Sequence, residues 1–301
     1  MDTLRLATDR LSVEIARPGT MYKGTRFDWS GFITQVTLKG ADGAEHTFCV
    51  PESLVEGEGT GGIGLCNEFG IDMPIGYDEA QPGEPFVKLG IGLLLRPNGE
   101  PYNFFRPHKI AIPFPIHVQA DAAQATFIVE PVACRGYAAR LTKVLSVAGA
   151  ELKLEYALEN VGEKPLVTNE YCHNFMGFDS QPIGPHYTLS FPYPILMEQL
   201  PGMPAALTEL LELQGNTMRC REEPQHAFYT RLIGAHATDQ PQWELEYAPT
   251  GLRMSETDDF APMRVAVWGT AHVVSAEEFA AINVAPGDTY RWSRRYNFSA
   301  R

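Results

Sequence analysis

Alternation of apolar and polar residues with a period of two runs through most of this chain. In "LKLEYALENV", Leu152, Leu154, Tyr156 and Leu158 share one face and Lys153, Glu155 and Glu159 the other, as in a strand with one side on a core and one in water. "LSVEIA" repeats the pattern through Leu11, Val13 and Ile15, and "YRWSRRYNF" through Tyr290, Trp292, Tyr296 and Phe298. Turn signals such as "KGADGAE", "RPNGEP", "ENVGEKP" and "APGD" separate the runs. Only "MPAALTELLELQGN", residues 203–216, reads as a helix, with Pro204 near its start and Gly215 as its stop. Strand after strand across short turns predicts antiparallel sheets packed face to face. The expected fold is therefore all-β, a large antiparallel sandwich with one short helix. No repeat, low-complexity tract or composition shift marks a linker, so residues 1–301 are expected to form a single domain.

One segment breaks the pattern. "TNEYCHNF", residues 168–175, crowds Asn169, Glu170, His173 and Asn174 among Tyr171, Cys172 and Phe175. On an ideal strand Asn169, Tyr171, His173 and Phe175 share one face, a polar and aromatic mixture suited to a sugar cleft. Thr168, Glu170, Cys172 and Asn174 share the other, which suits a polar contact between sheets. Cys172 beside His173 is no catalytic dyad, since neighbours on a strand point to opposite faces. Three further stretches carry candidate chemistry. "GTRFDWSGFI" offers Arg26, and "PYNFFRPHKI" interleaves aromatics with Arg106, His108 and Lys109. "VWGTAHVVSAEEFAAINVAPGDTYRW" closes an apolar run with Glu277 and Glu278, where partial burial would raise a carboxyl pKa and make a useful base. Arg231 joins Arg26, Arg106, His108 and Lys109 as a possible basic lining for an anionic group.

Composition narrows the partners. With 44% hydrophobic and 20% charged residues the chain reads as a globular protein, and its net charge of −13 argues against nucleic acid or an anionic membrane. No stretch approaches the roughly 18 apolar residues of a membrane span. Five scattered cysteines form neither a disulfide framework nor a Cys-x-x-Cys metal pair, so a reducing cytoplasm is expected. No two histidines have the i, i+4 helical spacing of a zinc site. The glycines of "GEGTGGIG", residues 57–64, precede no helix and no Lys-Ser/Thr, which makes them a rim loop rather than a phosphate cradle.

Together these stretches resemble the aldose 1-epimerase (galactose mutarotase-like) superfamily. The likeness is carried by "GTRFDWSGFITQVTLKGADGAEHTF", "LKLEYALENVGEKPLVTNEYCHNF" and "VWGTAHVVSAEEFAAINVAPGD", in that order. It implies a β-supersandwich with its site on a concave face, and an enzyme that interconverts sugar anomers. In that family a glutamate takes the proton of the anomeric hydroxyl while a histidine protonates the ring oxygen, with no cofactor or metal. Carried onto this chain, Glu277 becomes the base and His173 the acid. Arg26, His108, Glu170, Arg231 and Glu278 are the expected substrate contacts. The family's histidine position aligns with Glu170, whereas strand parity and an unperturbed pKa near neutrality favour His173. Two other readings use the same side chains: a sugar-binding protein without turnover, and a lyase or isomerase acting on an oxidised or acidic sugar.

Overall fold

In the computed structural model, which describes residues 2–199, 204–234 and 242–301, alternation becomes two ten-stranded antiparallel sheets. The front sheet runs in the order Thr3–Ala7, Leu11–Ala16, Phe32–Lys39, Leu65–Phe69, Leu166–Asn174, Val274–Val284, Arg264–Gly269, Phe228–Ile233 and Leu196–Met197, with Glu45–Thr47 paired to Phe32–Lys39. The centre of the back sheet is formed by Leu252–Asp258, Thr289–Ser299, Glu151–Asn160 and Ala139–Ala148. A three-stranded sheet, Pro85–Lys88, Gly92–Leu95 and Ile110–Pro113, lies apart from both. The all-β sandwich expected from the sequence is the fold observed.

Faces fall where the alternation put them. Leu152, Leu154, Tyr156 and Leu158 are buried, and they join Val13, Ile15, Trp292 and Tyr296 in one core between the sheets. The helix is the element that differs. It spans only Ala205–Leu210, and Leu211–Gln214 continues as a strand paired with Thr217–Cys220. The apolar spacing of "LLELQ" fits a strand as well as a helix, and pairing with a neighbouring strand decides between them. Met203, the first residue of the expected helix, lies outside the described residues.

The core is not wholly apolar. Arg294, in the same inward-facing series as Trp292 and Tyr296, is fully buried. Its guanidinium donates to Glu170 (2.8 Å), Glu256 (2.6 Å), Asp258 (3.3 Å) and the backbone carbonyl of Glu278 (2.9 Å). Glu170 also accepts from Asn67 (2.5 Å) and from the indole of Trp292 (3.1 Å). Glu256 is held by Trp243 (2.9 Å) and Asn174 (3.1 Å). These bonds tie the front sheet to the back sheet directly behind "TNEYCHNF".

The strand Leu166–Asn174 turns its even-numbered side chains to this cluster and its odd-numbered ones away from it. It pairs with Val274–Val284 continuously from Leu166↔Val284 to Glu170↔Ala280, and the pairing re-forms in the same register at Met176↔Val274. Between those points side chains stand in for the ladder. The Asn174 backbone N–H donates to Ser275 Oγ at 2.9 Å, and the Asn174 side-chain amide donates to the carbonyl of Ala276 at 2.8 Å. Carried through this gap, the register sets Tyr171 opposite Phe279 and His173 opposite Glu277.

Candidate active site

The outward face of the front sheet is where these opposed pairs meet. Tyr171 and Phe279 stack at 4.4 Å, and His173 Nε2 lies 3.3 Å from Glu277 Oε1. His173 is packed flat on Phe175 (4.0 Å between ring centres) and edge-on to Trp268 (5.1 Å). Both members of the His173–Glu277 pair are only 4% exposed. They sit at the floor of a cleft of about 510 Å³ whose wall includes Arg26, Phe104, Phe105, Tyr229, Arg231 and Arg264.

Arg26 enters the cleft from the segment before Phe32–Lys39 and is held on every side. Its Nε donates to Glu68 (2.8 Å), one Nη to the Tyr171 hydroxyl (3.0 Å) and the other to Thr60 (3.1 Å). Tyr171 in turn donates to Glu68 (2.8 Å), which also receives the ammonium of Lys88 (3.2 Å). Phe104 lies against the guanidinium at 4.5 Å. The glycine-rich loop thus has a structural use. Glu52 Oε2 accepts from the Thr60 and Gly62 backbone N–H groups at 2.6 and 3.2 Å, which fixes the loop over Arg26. A side chain at Gly64, where φ is +72°, would collide with the Ile33 carbonyl at 2.1 Å.

Electrostatics divide the pair. Burial, only partly offset by Arg26, a hydrogen bond from Ser275 and Arg264, pushes the Glu277 carboxyl up to about 8. Burial, reinforced by the charge of Arg26, holds the His173 imidazole well below its usual value. Among the described residues His173 Nδ1 has no hydrogen-bond partner. Between those two limits the pair carries one proton in total, and the apparent values belong to the pair rather than to either residue.

The raised Glu277 value makes folding stability depend on pH. Glu277 binds its proton more tightly in the folded chain than in the unfolded one, so its contribution is intact below the ordinary carboxyl value and is lost as pH rises toward 8. The slope is at most about 1.4 kcal/mol per pH unit. Glu277→Gln is therefore expected to melt above the unaltered chain at pH 8.5, with the difference closing below pH 5. Equal melting shifts at both pH values would refute it.

The structure brings His173, Glu277, Arg26 and Arg231 into one cleft, and it places the other three expected contacts elsewhere. Glu170 is fully buried on the opposite face of its strand, bonded to Arg294. Glu278 also points inward; burial and the nearby Glu256 keep its carboxyl well above the usual range, and both its oxygens lack hydrogen-bond partners among the described residues. Each is even-numbered on a strand whose odd positions form the cleft, so parity alone removes it. His108 stacks on Tyr102 at 5.2 Å behind Lys88 and is not part of the cleft wall. From the same stretch, Phe104 and Phe105 line the cleft instead, while Arg106 and Lys109 are exposed outside it. Glu68, Trp268 and Arg264 were not singled out from the sequence. The outward parity of Arg264 and Trp268 with Ala266, which pairs with Glu277, was the available signal.

No family model and no curated protein matches this chain. Solved structures do. The GalM/aldose epimerase homologue from C. elegans superposes with a TM-score of 0.62 at 12% identity, covering 99% of this chain and 98% of that one. A galactose mutarotase-like protein from Lactobacillus casei gives 0.60 at 10% identity, covering 99% and 100%. The Slr1438 protein of Synechocystis gives 0.59 at 13% identity, covering 99% and 96%. Likeness at such identities speaks for architecture, and on that ground this chain has the galactose mutarotase-like fold.

Proposed function

We propose that this chain is an aldose 1-epimerase-type isomerase that interconverts sugar anomers, with Glu277 and His173 as its acid–base pair. The observation that supports the reading best is the 3.3 Å contact between His173 Nε2 and Glu277 Oε1 at the floor of an aromatic-walled cleft. Anomerisation needs one proton removed from the anomeric hydroxyl and one delivered to the ring oxygen, and both oxygens are bonded to the same carbon. Two titratable groups in mutual contact suit such closely spaced targets. At rest the pair's one proton sits on Glu277. The reaction runs from the less populated arrangement with that proton moved across the 3.3 Å contact to His173. There ionised Glu277 takes the hydroxyl proton as His173 gives its own to the ring oxygen. The C1–ring-oxygen bond breaks, C1 becomes a carbonyl, and the pair still holds one proton, now on Glu277. Rotation about the C1–C2 bond and the reverse transfers close the ring on the other face. No redox or group-transfer step is involved.

The surroundings support sugar in particular. Trp268, Phe104 and Phe105 offer faces and edges to sugar C–H groups, while Tyr229, Arg26 and Arg231 offer polar tips. Residues 1–301 acting as one domain, and a reducing compartment such as the cytoplasm, belong to the same proposal. The front sheet joins strands from both ends of the chain, the last strand lies at the centre of the back sheet, and all five cysteines are buried thiols.

Exchange between anomers of freshly dissolved aldoses, followed by NMR, tests the reading. The rate should exceed that of buffer for at least one aldose. Its pH profile should be bell-shaped, with an alkaline limb near pH 8, where the pair loses its one proton, and an acid limb below the usual imidazole range, where it gains a second. No acceleration across neutral and acidic aldoses, or a profile without the alkaline limb, defeats it.

A further inference from the structure

We propose that Arg231 and Arg264 form a carboxylate subsite, so that the sugar held in this cleft is an acid bearing a single carboxylate away from its anomeric carbon. The inference rests on the sugar-site reading above. Both arginines project from adjacent antiparallel strands into the cleft that contains Glu277. Glu277 lies opposite Ala266, and Ala266 opposite Arg231. Two inter-strand steps place Arg231 about 10 Å from the acid–base pair along the sheet, a span on the scale of a pyranose ring with one substituent.

Charge in the cleft points the same way. Arg26 is neutralised by Glu68 at 2.8 Å and Glu52 at 3.6 Å. Arg264 meets Asp72 at 2.8 Å, whereas among the described residues Arg231 donates to the Tyr229 hydroxyl at 3.4 Å and meets a carboxylate, Glu198, at 3.8 Å and outside the cleft wall. Glu277, pushed up to about 8, adds little negative charge at neutral pH. Beyond the Arg26 group, Asp72 and Glu198 balance the two guanidinium groups in number, but the Arg231–Glu198 contact is long and about one-third exposed, which leaves Arg231 the loosely compensated charge beside the cleft. A single carboxylate can take the place of that loose contact, whereas a phosphate dianion would leave a negative charge uncompensated beside Asp72.

Geometry supplies the rest. The Arg264 guanidinium lies against the Phe279 ring at 3.7 Å, which fixes its plane and leaves its edge for a planar, two-pronged partner. Its Nε has no hydrogen-bond partner among the described residues. Asp72 follows the strand Leu65–Phe69 in a turn and is about half exposed, so it occupies part of the guanidinium edge with the same chemistry as the expected ligand.

The test compares anomer exchange of D-glucuronate and D-galacturonate with that of D-glucose and D-glucose 6-phosphate, using the full chain. At least one uronate is expected to show kcat/KM about tenfold or more above glucose, the value of one charge-assisted bidentate contact. Arg264→Met should lower that uronate-to-glucose ratio by about the same factor. Asp72→Asn should lower the uronate KM by removing the competing carboxylate. A ratio near one, preference for the phosphorylated sugar, or a ratio indifferent to Arg264→Met would overturn the subsite. Calorimetric titration of Glu277→Gln with glucuronate separates the subsite from the activity. Arg264-dependent binding without turnover of any sugar would keep the subsite and sink the isomerase. Turnover of glucose with no uronate preference would do the reverse.

Discussion

Replacing His173 by Asn is expected to lower anomer exchange by about 10²–10⁴-fold, the usual contribution of one general acid–base group, while leaving the fold intact. Asn fits the space between Phe175 and Trp268 and removes the titratable nitrogen that lies 3.3 Å from Glu277. The control is Glu170→Gln, three residues away on the same strand. Glu170 faces Arg294 and Trp292 in the core, so its loss should appear mainly in thermal stability. Exchange rates by NMR and melting by circular dichroism, measured on both variants, decide the matter. A Glu170 variant that loses activity beside an active His173 variant would show that the acid had been assigned to the wrong face.

Arg294→Met should cost about 3–5 kcal/mol of folding stability, the range seen when one partner of a buried ion pair is removed. A domain is typically stable by only about 5–15 kcal/mol, so the loss is a large share. The reason is geometric: Glu170, Glu256 and Asp258 all lie within 3.3 Å of that one guanidinium, with no solvent to replace it. Burial already drives Asp258 well above its usual value, so removing the cation pushes further protonation onto the cluster. Urea unfolding midpoints provide the measurement. Arg294→Lys, which keeps the charge but not the fork, should fall between the two and serves if the Met variant does not fold. A change under about 1 kcal/mol for Met would mean the cluster contributes little.

Much of the fold is readable in the sequence because β-structure writes its faces into residue parity. Leu152 to Leu158 and the odd positions Tyr171 and His173 are separable from their neighbours without coordinates. Parity also places Glu170 at a contact between sheets, yet the resemblance to a family pattern kept it among the substrate contacts. Glu278 was retained because two adjacent carboxylates look alike until a neighbouring strand fixes which one faces out. Arg294 went unnoticed for a related reason. Period-two reading counts apolar members, and a cation on the inward face between Trp292 and Tyr296 is invisible until its carboxylates arrive from Leu166–Asn174 and Leu252–Asp258. Glu68 and Lys88 depend likewise on contacts from distant segments. The helix was overextended since a short apolar run does not state its period.

The parity of Leu166–Asn174 and Val274–Val284 also has a bearing on how this protein can change. Tyr171, His173, Glu277 and Phe279 stand on one side of the sheet, and Glu170, Cys172, Asn174 and Glu278 on the other. Substrate choice and foldability are therefore written in interleaved letters that do not share side chains. A library that randomises positions 229, 231 and 264 samples new ligands without touching the residues between the sheets, whereas a single-residue insertion in either strand exchanges the two alphabets at once. Drift toward new sugars in such a sheet is expected to proceed by substitution at alternate positions, with length held fixed.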